Sequence, residues 1–206
     1  MIYLYLLNQP ESTWMKEERC EGISDTSLSS YGKQQTVKAG LSLAGRQVDG
    51  IIVGTLHRTV QAGKLLTKIF PHKLQRDKRL IDMNLGVWQG KFPEEIESRF
   101  VPEYKLWKKD PEKATIPEGE SIIAATQRVQ SFLQSHDQNE LFDKYYLVVT
   151  HDIIIRILLT ITEGKSLDKI WEYQLNPASI STIAIFPEKK VIEINNVEHL
   201  GITPLS

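Results

Sequence analysis

The segment Leu4-Tyr5-Leu6-Leu7-Asn8-Gln9-Pro10-Glu11-Ser12-Thr13-Trp14 decides the fold of this chain. Its first half continues an apolar run that starts at Ile2, and such a run predicts a buried β-strand over residues 2–7. The polar pair Asn8-Gln9 and the proline after it predict a loop. The segment is therefore expected to be a strand that leads directly into a loop.

Strand-like and helix-like segments alternate along the rest of the chain. Further strands are predicted over residues 50–53 and 145–150, and a closing hairpin over residues 180–186 and 191–197. One of the intervening helices has Ser29 as its predicted N-cap. The apolar residues of that helix that fall at helical spacing, and are expected to be buried, are Val37, Gly40, Leu41 and Ala44.

The alternation predicts an α/β fold, a three-layer α/β/α sandwich with a mostly parallel central sheet. Residues 85–120, rich in Pro, Glu, Lys and Trp, predict a small helical insertion over the carboxyl ends of the strands. We expect one domain over residues 1–206. Ligands of such sheets bind beyond the carboxyl ends of the strands, so Gln9, residues 55–58 and His151 are expected to lie close together.

The composition excludes several classes of protein. The 206 residues are 41 % hydrophobic and 25 % charged, which is ordinary for a soluble globular domain. A formal net charge of −1 predicts no binding to nucleic acid, and no apolar run approaches the ~20 residues that span a membrane. Cys20 is the only cysteine, which excludes an internal disulfide and favours a cytoplasmic location. Five histidines without ligand spacing predict no metal, and no cofactor is expected.

Six further stretches, taken with the opening segment, form a recognisable series. They lie at residues 25–35, 55–62, 80–90, 117–121, 148–152 and 196–200. In order they are similar to the patterns D-x-P-L-[ST]-x-x-G-x-x-Q, S-x-L-x-R-[AT]-x-[QE]-T, L-x-E-x-x-x-G-x-W-E-G, P-x-G-E-S, V-V-[ST]-H-G and N-x-x-H-L. The series resembles the histidine phosphatase (phosphoglycerate mutase-like) superfamily over nearly the whole chain, and so predicts the same fold.

The resemblance also implies a chemistry. In that superfamily the opening strand runs into Arg-His-Gly-Glu-[Thr/Ser], the histidine attacks phosphorus, and a carboxylic acid protonates the leaving oxygen. Two arginines and two histidines surround the phosphate. By position, Arg58 matches the second arginine, His151 the second histidine, and Asp82 the proton donor, which is usually Glu. The resemblance therefore assigns vestigial catalytic roles to His151 and Asp82, and a phosphate-binding set of Asn8, Gln9, Arg58 and His151.

Several positions depart from the pattern of the superfamily. Gln9 stands in the place of the nucleophile, and its amide lone pair is delocalised, so it can hydrogen-bond a phosphate but cannot attack one. Loss of a nucleophile can cost on the order of a million-fold in turnover. Asn8 replaces the first arginine and so removes a charged hydrogen-bond donor. The side chain of Asp82 is one methylene shorter than Glu and falls roughly 1 Å short of the leaving oxygen, a displacement that can lower the reaction rate ~100-fold. Pro10 removes a backbone N–H, and Asp152 adds negative charge beside His151.

Structural roles remain open for each of these residues. Arg58 could be a solvated residue at a helix start, and Asp82 an ordinary surface or capping carboxylate. His151 could be a core histidine that bonds a backbone carbonyl. Cys20 lies in a loop expected near the pocket, but a lone cysteine without a paired base is seldom a nucleophile.

Three functions compete on this sequence. The first is a non-catalytic subunit, since the chain most resembles the degenerate second subunit of a metal-independent phosphoserine phosphatase. That resemblance implies hydrolysis of L-phosphoserine in serine biosynthesis, beside an active homologous subunit in a heterodimer, with a homodimer as the alternative. The second is an autonomous phosphomonoesterase of altered mechanism, in which His151 or a water activated by Asp82 attacks. The third is a sensor that binds a small phosphorylated metabolite without turnover.

Overall fold

The computed structural model describes residues 1–136, 142–186 and 188–205. Its strands are β1 Ile2–Asn8, β2 Gly50–Val53, β3 Leu74–Arg76, β4 Lys144–Thr150, β5 Ile180–Phe186 and β6 Lys190–Asn196. Its α-helices are α1 Thr13–Lys16, α2 Ser30–Leu43, α3 His57–Leu66, α4 Pro93–Arg99, α5 Val101–Lys109, α6 Ile122–Ser135 and α7 Asp152–Glu163. Short 3₁₀ helices occupy Lys78–Leu80, Gly86–Trp88, Leu167–Glu172 and Glu198–Leu200.

The six strands form one mixed sheet in the order β3-β2-β4-β1-β5-β6. The pairs β3–β2, β2–β4 and β4–β1 are parallel, whereas β5 runs antiparallel to β1 and β6 antiparallel to β5. The predicted strands and the closing hairpin are therefore present. Strand β3 and the short helix α1, three and four residues long, were not predicted, because elements of that length carry no clear hydrophobic periodicity.

Hydrophobic clusters cover both faces of the sheet. Along β1, Leu4 and Leu6 belong to one cluster, and Tyr5 and Leu7 to the other. Successive side chains of a strand point to opposite faces, so an unbroken apolar run is what a doubly covered strand requires. Helices α6 and α7 contribute to the first cluster and α2 and α3 to the second. This arrangement confirms the predicted three-layer α/β fold with a mostly parallel sheet.

Helix α2 buries a different face from the one that its apolar residues predict. Ser29 is the N-cap, and its hydroxyl accepts from the Gly32 amide. Val37 and Leu41 are exposed, at 38 % and 60 %, and Ala44 is an exposed C-cap residue, so their predicted burial is wrong, whereas that of Gly40 is confirmed. The buried face is instead Gly32, Gln35, Thr36, Ala39, Gly40 and Leu43. A Cβ on Gly40 would come within 2.5 Å of Ile69 Cδ1, so the close approach of this side chain to α2 requires glycine at that position.

The segment between β3 and α6 holds α4 and α5, within the predicted insertion at residues 85–120. Trp88 and Trp107 from this segment are buried and join the same cluster as α7. The assignment of residues 1–206 to one domain stays a prediction. Each helix in the described ranges is too short or too polar to cross a membrane.

Three parallel strands place polar residues at the same edge of the sheet. Gln9 follows β1, Arg58 lies in the first turn of α3 after β2, and His151 follows β4 as the N-cap residue of α7. Parallel strands end at a common edge, so the fold brings these side chains together.

Candidate functional site

The carboxamide of Gln9 lies at the centre of the site. Its Oε1 atom accepts from Arg58 Nε at 2.5 Å and lies 2.5 Å from His151 Nδ1. Its Nε2 atom donates to Glu21 Oε2 at 2.6 Å. Gln9 is only 3 % exposed, so these contacts are shielded from water. Both ends of the amide are held by the protein.

These contacts fix the protonation of His151. The Gln9 oxygen can only accept, so His151 Nδ1 must carry the proton and Nε2 must be the bare nitrogen. Burial, followed by the positive charges of Arg58 and Arg128, lowers the pKa of His151 well below 6.5. The imidazole is therefore neutral. Among the described residues, Nε2 is buried and has no hydrogen-bond partner.

Arg58 is fully buried, and its guanidinium donates hydrogen bonds to side-chain and backbone oxygens of neighbouring residues. Besides Gln9, its guanidinium donates to Ser24 O at 2.6 Å, Gly22 O at 2.7 Å and Asp82 Oδ2 at 3.0 Å. The alternative that Arg58 is a solvated residue is wrong. The guanidinium instead joins the loop after α1 to the sheet edge, and Asp25 supports the same loop by accepting from the His57 amide.

Glu21 is a site residue that sequence reasoning missed. Its carboxylate accepts from Gln9, Ser12 and Thr26, the last two at 2.5 Å, and lies 3.7 Å from Arg58. It is 9 % exposed, which is unusual for Glu and requires such partners. Nothing in its loop of mixed charge distinguishes it by spacing from the neighbouring acidic residues, so no sequence signal marks it.

Asp82 is a largely buried carboxyl group with a raised pKa. Burial raises its pKa to about 7, and the charges of Glu21 and Asp152 add to the rise, while Arg58 and the Met83 amide oppose it. Its Oδ2 atom lies 3.5 Å from His151 Nδ1. A carboxyl group with a pKa near neutrality can donate or accept a proton under physiological conditions.

Asn8 takes part differently from the other predicted residues. Its side-chain amide donates to Asn176 O at 2.9 Å, in the segment before β5. Gln9 and Asp82 each contact both Arg58 and His151, and Asn8 lies beside this cluster. Phosphate binding by Asn8, Gln9, Arg58 and His151, and the catalytic roles of His151 and Asp82, stay predictions. Among the described residues, no three His, Cys, Asp or Glu side chains are placed to hold a metal ion.

A cavity of about 340 Å³ opens next to this cluster. Its walls are largely apolar and come mainly from the segment around α4 and α5. The apolar and aromatic lining residues are Met15, Leu85, Trp88, Ile96, Tyr104, Trp107, Ile153 and Trp171. The polar lining residues include Asn8, Gln9, Arg19, Glu21, Asp82 and Asp152. Arg58 and His151 do not line it.

Known proteins with similar sequences are phosphatases and mutases. The chain is 27 % identical over 202 residues to phosphoserine phosphatase 1 of Hydrogenobacter thermophilus, covering 98 % of this chain and 95 % of that protein. It is 29 % identical over 168 residues to a probable phosphoglycerate mutase GpmB of Yersinia enterocolitica, covering 80 % and 76 %.

Solved structures show the same fold. YhfR of Bacillus stearothermophilus superposes with a TM-score of 0.90 at 23 % identity, over 97 % of this chain and 100 % of that one. A histidine-to-alanine mutant of phosphoserine phosphatase from Entamoeba histolytica, in complex with phosphoserine, superposes with a TM-score of 0.85 at 22 % identity, over the same shares. The model of the histidine phosphatase superfamily (branch 1) matches residues 4–198, and the chain therefore belongs to that superfamily.

Proposed function

We propose that this chain is a phosphatase-fold subunit without a nucleophile of its own. It acts in the cytoplasm beside an active homologous subunit, in a complex that hydrolyses L-phosphoserine to L-serine and phosphate for serine biosynthesis. The observation that carries the proposal is the buried carboxamide of Gln9, which is held by Arg58, His151 and Glu21. A nucleophilic histidine would have to stand in this place.

The surroundings of Gln9 match an amide rather than a nucleophile. Glu21 accepts the amide N–H, and Arg58 and His151 both donate to the amide oxygen. A neutral imidazole at this position has one N–H and one lone pair, so it could serve Glu21 and only one of the two donors, Arg58 and His151. The network therefore supports the view that the residues around position 9 are adapted to an amide, and that the nucleophile is absent from this chain.

His151 does not supply a replacement. Its free lone pair is on Nε2, which is buried away from solvent. Asp82 has a pKa suited to general acid–base chemistry, but its Oδ2 atom is hydrogen-bonded to Arg58 at 3.0 Å. The geometry thus favours the non-catalytic subunit over an autonomous phosphomonoesterase.

Two observations support the partnership. The similarity to phosphoserine phosphatase 1 extends over 98 % of this chain. Strand β6 forms one edge of the sheet, and it exposes Ile192 and Ile194 at 52 % and 39 %. An edge strand with exposed apolar side chains is suited to pairing with another chain.

Two measurements test the proposal. The purified chain is incubated with radiolabelled phosphoserine, and neither covalent label nor turnover above background is expected. It is then mixed at micromolar concentration with a homologous chain of the same cell that carries the Arg-His-Gly motif, and native mass spectrometry is expected to show a mixed complex. The active chain alone is the control for turnover.

Each half of the proposal can fail separately. A stable phosphoryl label on the unmodified chain, or turnover abolished by His151→Ala, would contradict the missing nucleophile. Absence of a mixed complex would contradict the subunit role. A self-complex without the homologue would instead support the homodimer, in which case ligand binding without turnover is the second candidate, favoured by the retained cavity of about 340 Å³.

A further inference from the structure

The carboxylate of Glu21 lies where several hydrogen-bond donors of the site converge. Its Oε1 atom accepts from the hydroxyls of Ser12 and Thr26, both at 2.5 Å. Its Oε2 atom accepts from Gln9 Nε2 at 2.6 Å and lies 3.7 Å from Nε of the buried Arg58 guanidinium. Three donors and one cation thus surround a single carboxylate.

These groups are the ones that any buried oxyanion requires. Glu21 is only 9 % exposed, so its carboxylate needs strong hydrogen bonds to replace those of water. A phosphate ester has the same requirement, since it carries about −1.5 to −2 charges at neutral pH. Each hydroxyl has one hydrogen to donate, so the donors around Glu21 can serve its carboxylate or an incoming phosphate, but not both at once.

The guanidinium of Arg58 holds the loop that carries Glu21 in this position. It donates to Gly22 O at 2.7 Å and to Ser24 O at 2.6 Å, in the residues just after Glu21. Its Nε atom donates to Gln9 Oε1 at 2.5 Å, so the amide that bonds Glu21 is held as well. The carboxylate is therefore fixed among its donors by the strongest cation of the site.

The cavity of about 340 Å³ gives an anion access to this place, because Glu21 and Gln9 both line it. Removal of the Glu21 carboxylate would leave the Gln9 amide and the hydroxyls of Ser12 and Thr26 without their acceptor. Buried donors without an acceptor are costly, so an anion that enters from the cavity would be bound by them. One side chain thus decides whether these donors are free.

We propose that the Glu21 carboxylate is an internal anion that takes the place of a phosphate group, so that the unmodified chain does not bind phosphate esters at this site. The surrounding donors keep the capacity to bind an anion, and removal of the carboxylate restores it. The inference rests on the proposed function in that the chain is the non-catalytic subunit. Within the proposed complex, phosphoserine is then bound by the active homologous subunit alone.

The test measures anion binding with and without the carboxylate. Inorganic phosphate and L-phosphoserine are each titrated calorimetrically into the unmodified chain and into Glu21→Ala, at constant ionic strength. The unmodified chain is expected to bind neither ligand. Glu21→Ala should bind both, at least about tenfold more tightly than the detection limit for the unmodified chain, since one charge-assisted hydrogen bond corresponds to about that ratio. L-Serine, which lacks the phosphate group, should bind to neither protein.

Thermal unfolding provides a second readout. A ligand that binds only the folded state raises the unfolding temperature as its concentration rises. Phosphate also stabilises proteins in general, because it is excluded from their surfaces. Glu188→Ala removes the same charge at an exposed position between β5 and β6 and measures that general effect. The rise for Glu21→Ala should exceed it and should saturate with phosphate concentration.

A carboxylate with a structural role only would give a different result. Glu21→Ala would then be less stable than the unmodified chain, and phosphate would stabilise it no more than it stabilises Glu188→Ala. If Glu21→Ala does not fold, Glu21→Gln takes its place, because it removes the charge and keeps the shape of the side chain. The same gain in phosphate binding is expected for it.

The inference is overturned if phosphate or phosphoserine binds to the unmodified chain, or if neither ligand binds to the folded Glu21 variant. It is also overturned if phosphate stabilises that variant no more than Glu188→Ala. Binding to the unmodified chain without a phosphoryl label overturns this inference alone. Absence of a mixed complex contradicts the proposed function and leaves these affinities unchanged, so the two failures are distinguishable.

Discussion

His151 Nδ1 donates its proton to the Gln9 side-chain oxygen across 2.5 Å, in a region where both residues are at most 3 % exposed. The imidazole is thus locked in the Nδ1–H form, with Nε2 bare. A histidine in this form can accept a hydrogen bond at Nε2 but has no charge with which to attract an anion. This relationship leads directly to the first prediction.

We expect His151 to stay neutral below its ordinary pKa of 6.5. Its folded pKa is depressed, so between that value and 6.5 the unfolded chain binds the extra proton. The stability that neutral His151 allows is therefore fully present above pH 6.5. It is lost as the pH falls from 6.5 toward the pKa of His151 in the folded chain. Nitrogen-15 NMR of the imidazole should show the Nδ1–H form throughout, with the urea-unfolded chain as reference. Titration of the folded chain near 6.5 would contradict the assignment.

Asp82 should produce a pH dependence of the opposite sign. Its folded pKa of about 7 lies above its ordinary value of 3.8, so the folded state holds a proton that the unfolded state loses. The stability that protonated Asp82 contributes is therefore fully present below pH 3.8, and it is lost as the pH rises to about 7. Asp82→Asn should remove this fall, as measured by urea unfolding over that range.

The control for Asp82→Asn is Asp168→Asn, which changes an exposed carboxylate. The slope between pH 3.8 and about 7 is the informative quantity, because the variant also alters the contact with Arg58 at all pH values. An unchanged slope would show that Asp82 titrates in its ordinary range.

Arg58→Met should destabilise the folded state by about 3–5 kcal/mol, the usual cost of removing one partner of a buried ion pair. It leaves Asp82 and the carbonyls of Gly22 and Ser24 without their common donor, and Glu21 without the positive charge that lies 3.7 Å from it. Urea unfolding measures the change. Arg99→Met, at an exposed position at the end of α4, should stay within about 0.5 kcal/mol. A small effect at Arg58 would mean that the guanidinium is not structural.

Cys20 should be nearly inert toward thiol reagents. Burial raises the pKa of its thiol to about 11, with Glu21 and Glu94 adding to the rise. About three pH units below that value, roughly one thiol in a thousand is ionised, and the thiolate is the reactive form. Alkylation by iodoacetamide should therefore be slow until denaturant is added. Rapid alkylation of the folded chain would show that the cavity wall around Cys20 opens readily.

Much of the fold could be predicted because its signals are local. The apolar run of β1 predicts a buried strand, and the alternation of strand and helix patterns along the chain predicts a central sheet with helices on both faces. The positions of Gln9, Arg58 and His151 also follow, since each comes directly after a strand and parallel strands end at one edge.

The rest depends on contacts between distant segments. Glu21 enters the site because Ser12, Thr26 and Gln9 converge on it, and a loop of mixed charge carries no periodic signal of that. Val37 and Leu41 of α2 are exposed against expectation, because the face of α2 that α3 covers is set by tertiary packing, which hydrophobic spacing does not encode. Similarly, Asn8 bonds a carbonyl more than a hundred residues away.

The missing nucleophile can be tested by putting it back. Under the proposed function, Asn8→Arg with Gln9→His should restore measurable phosphohistidine formation from radiolabelled phosphoserine. The new histidine, however, would lie beside the Glu21 carboxylate, which now accepts from the Gln9 amide at 2.6 Å. A carboxylate there repels the incoming phosphate dianion, so labelling by the double variant should be weak.

Adding Glu21→Gln to the double variant removes that repulsion while it retains hydrogen-bonding groups for Ser12 and Thr26. We expect at least about tenfold more label in the triple variant, consistent with one charged interaction changed. Glu188→Gln on the same double background is the control for net charge. If the triple variant gains no label over the double variant, Glu21 does not repel the phosphate; if neither variant is labelled, the replaced residues alone do not account for the loss of phosphoryl transfer.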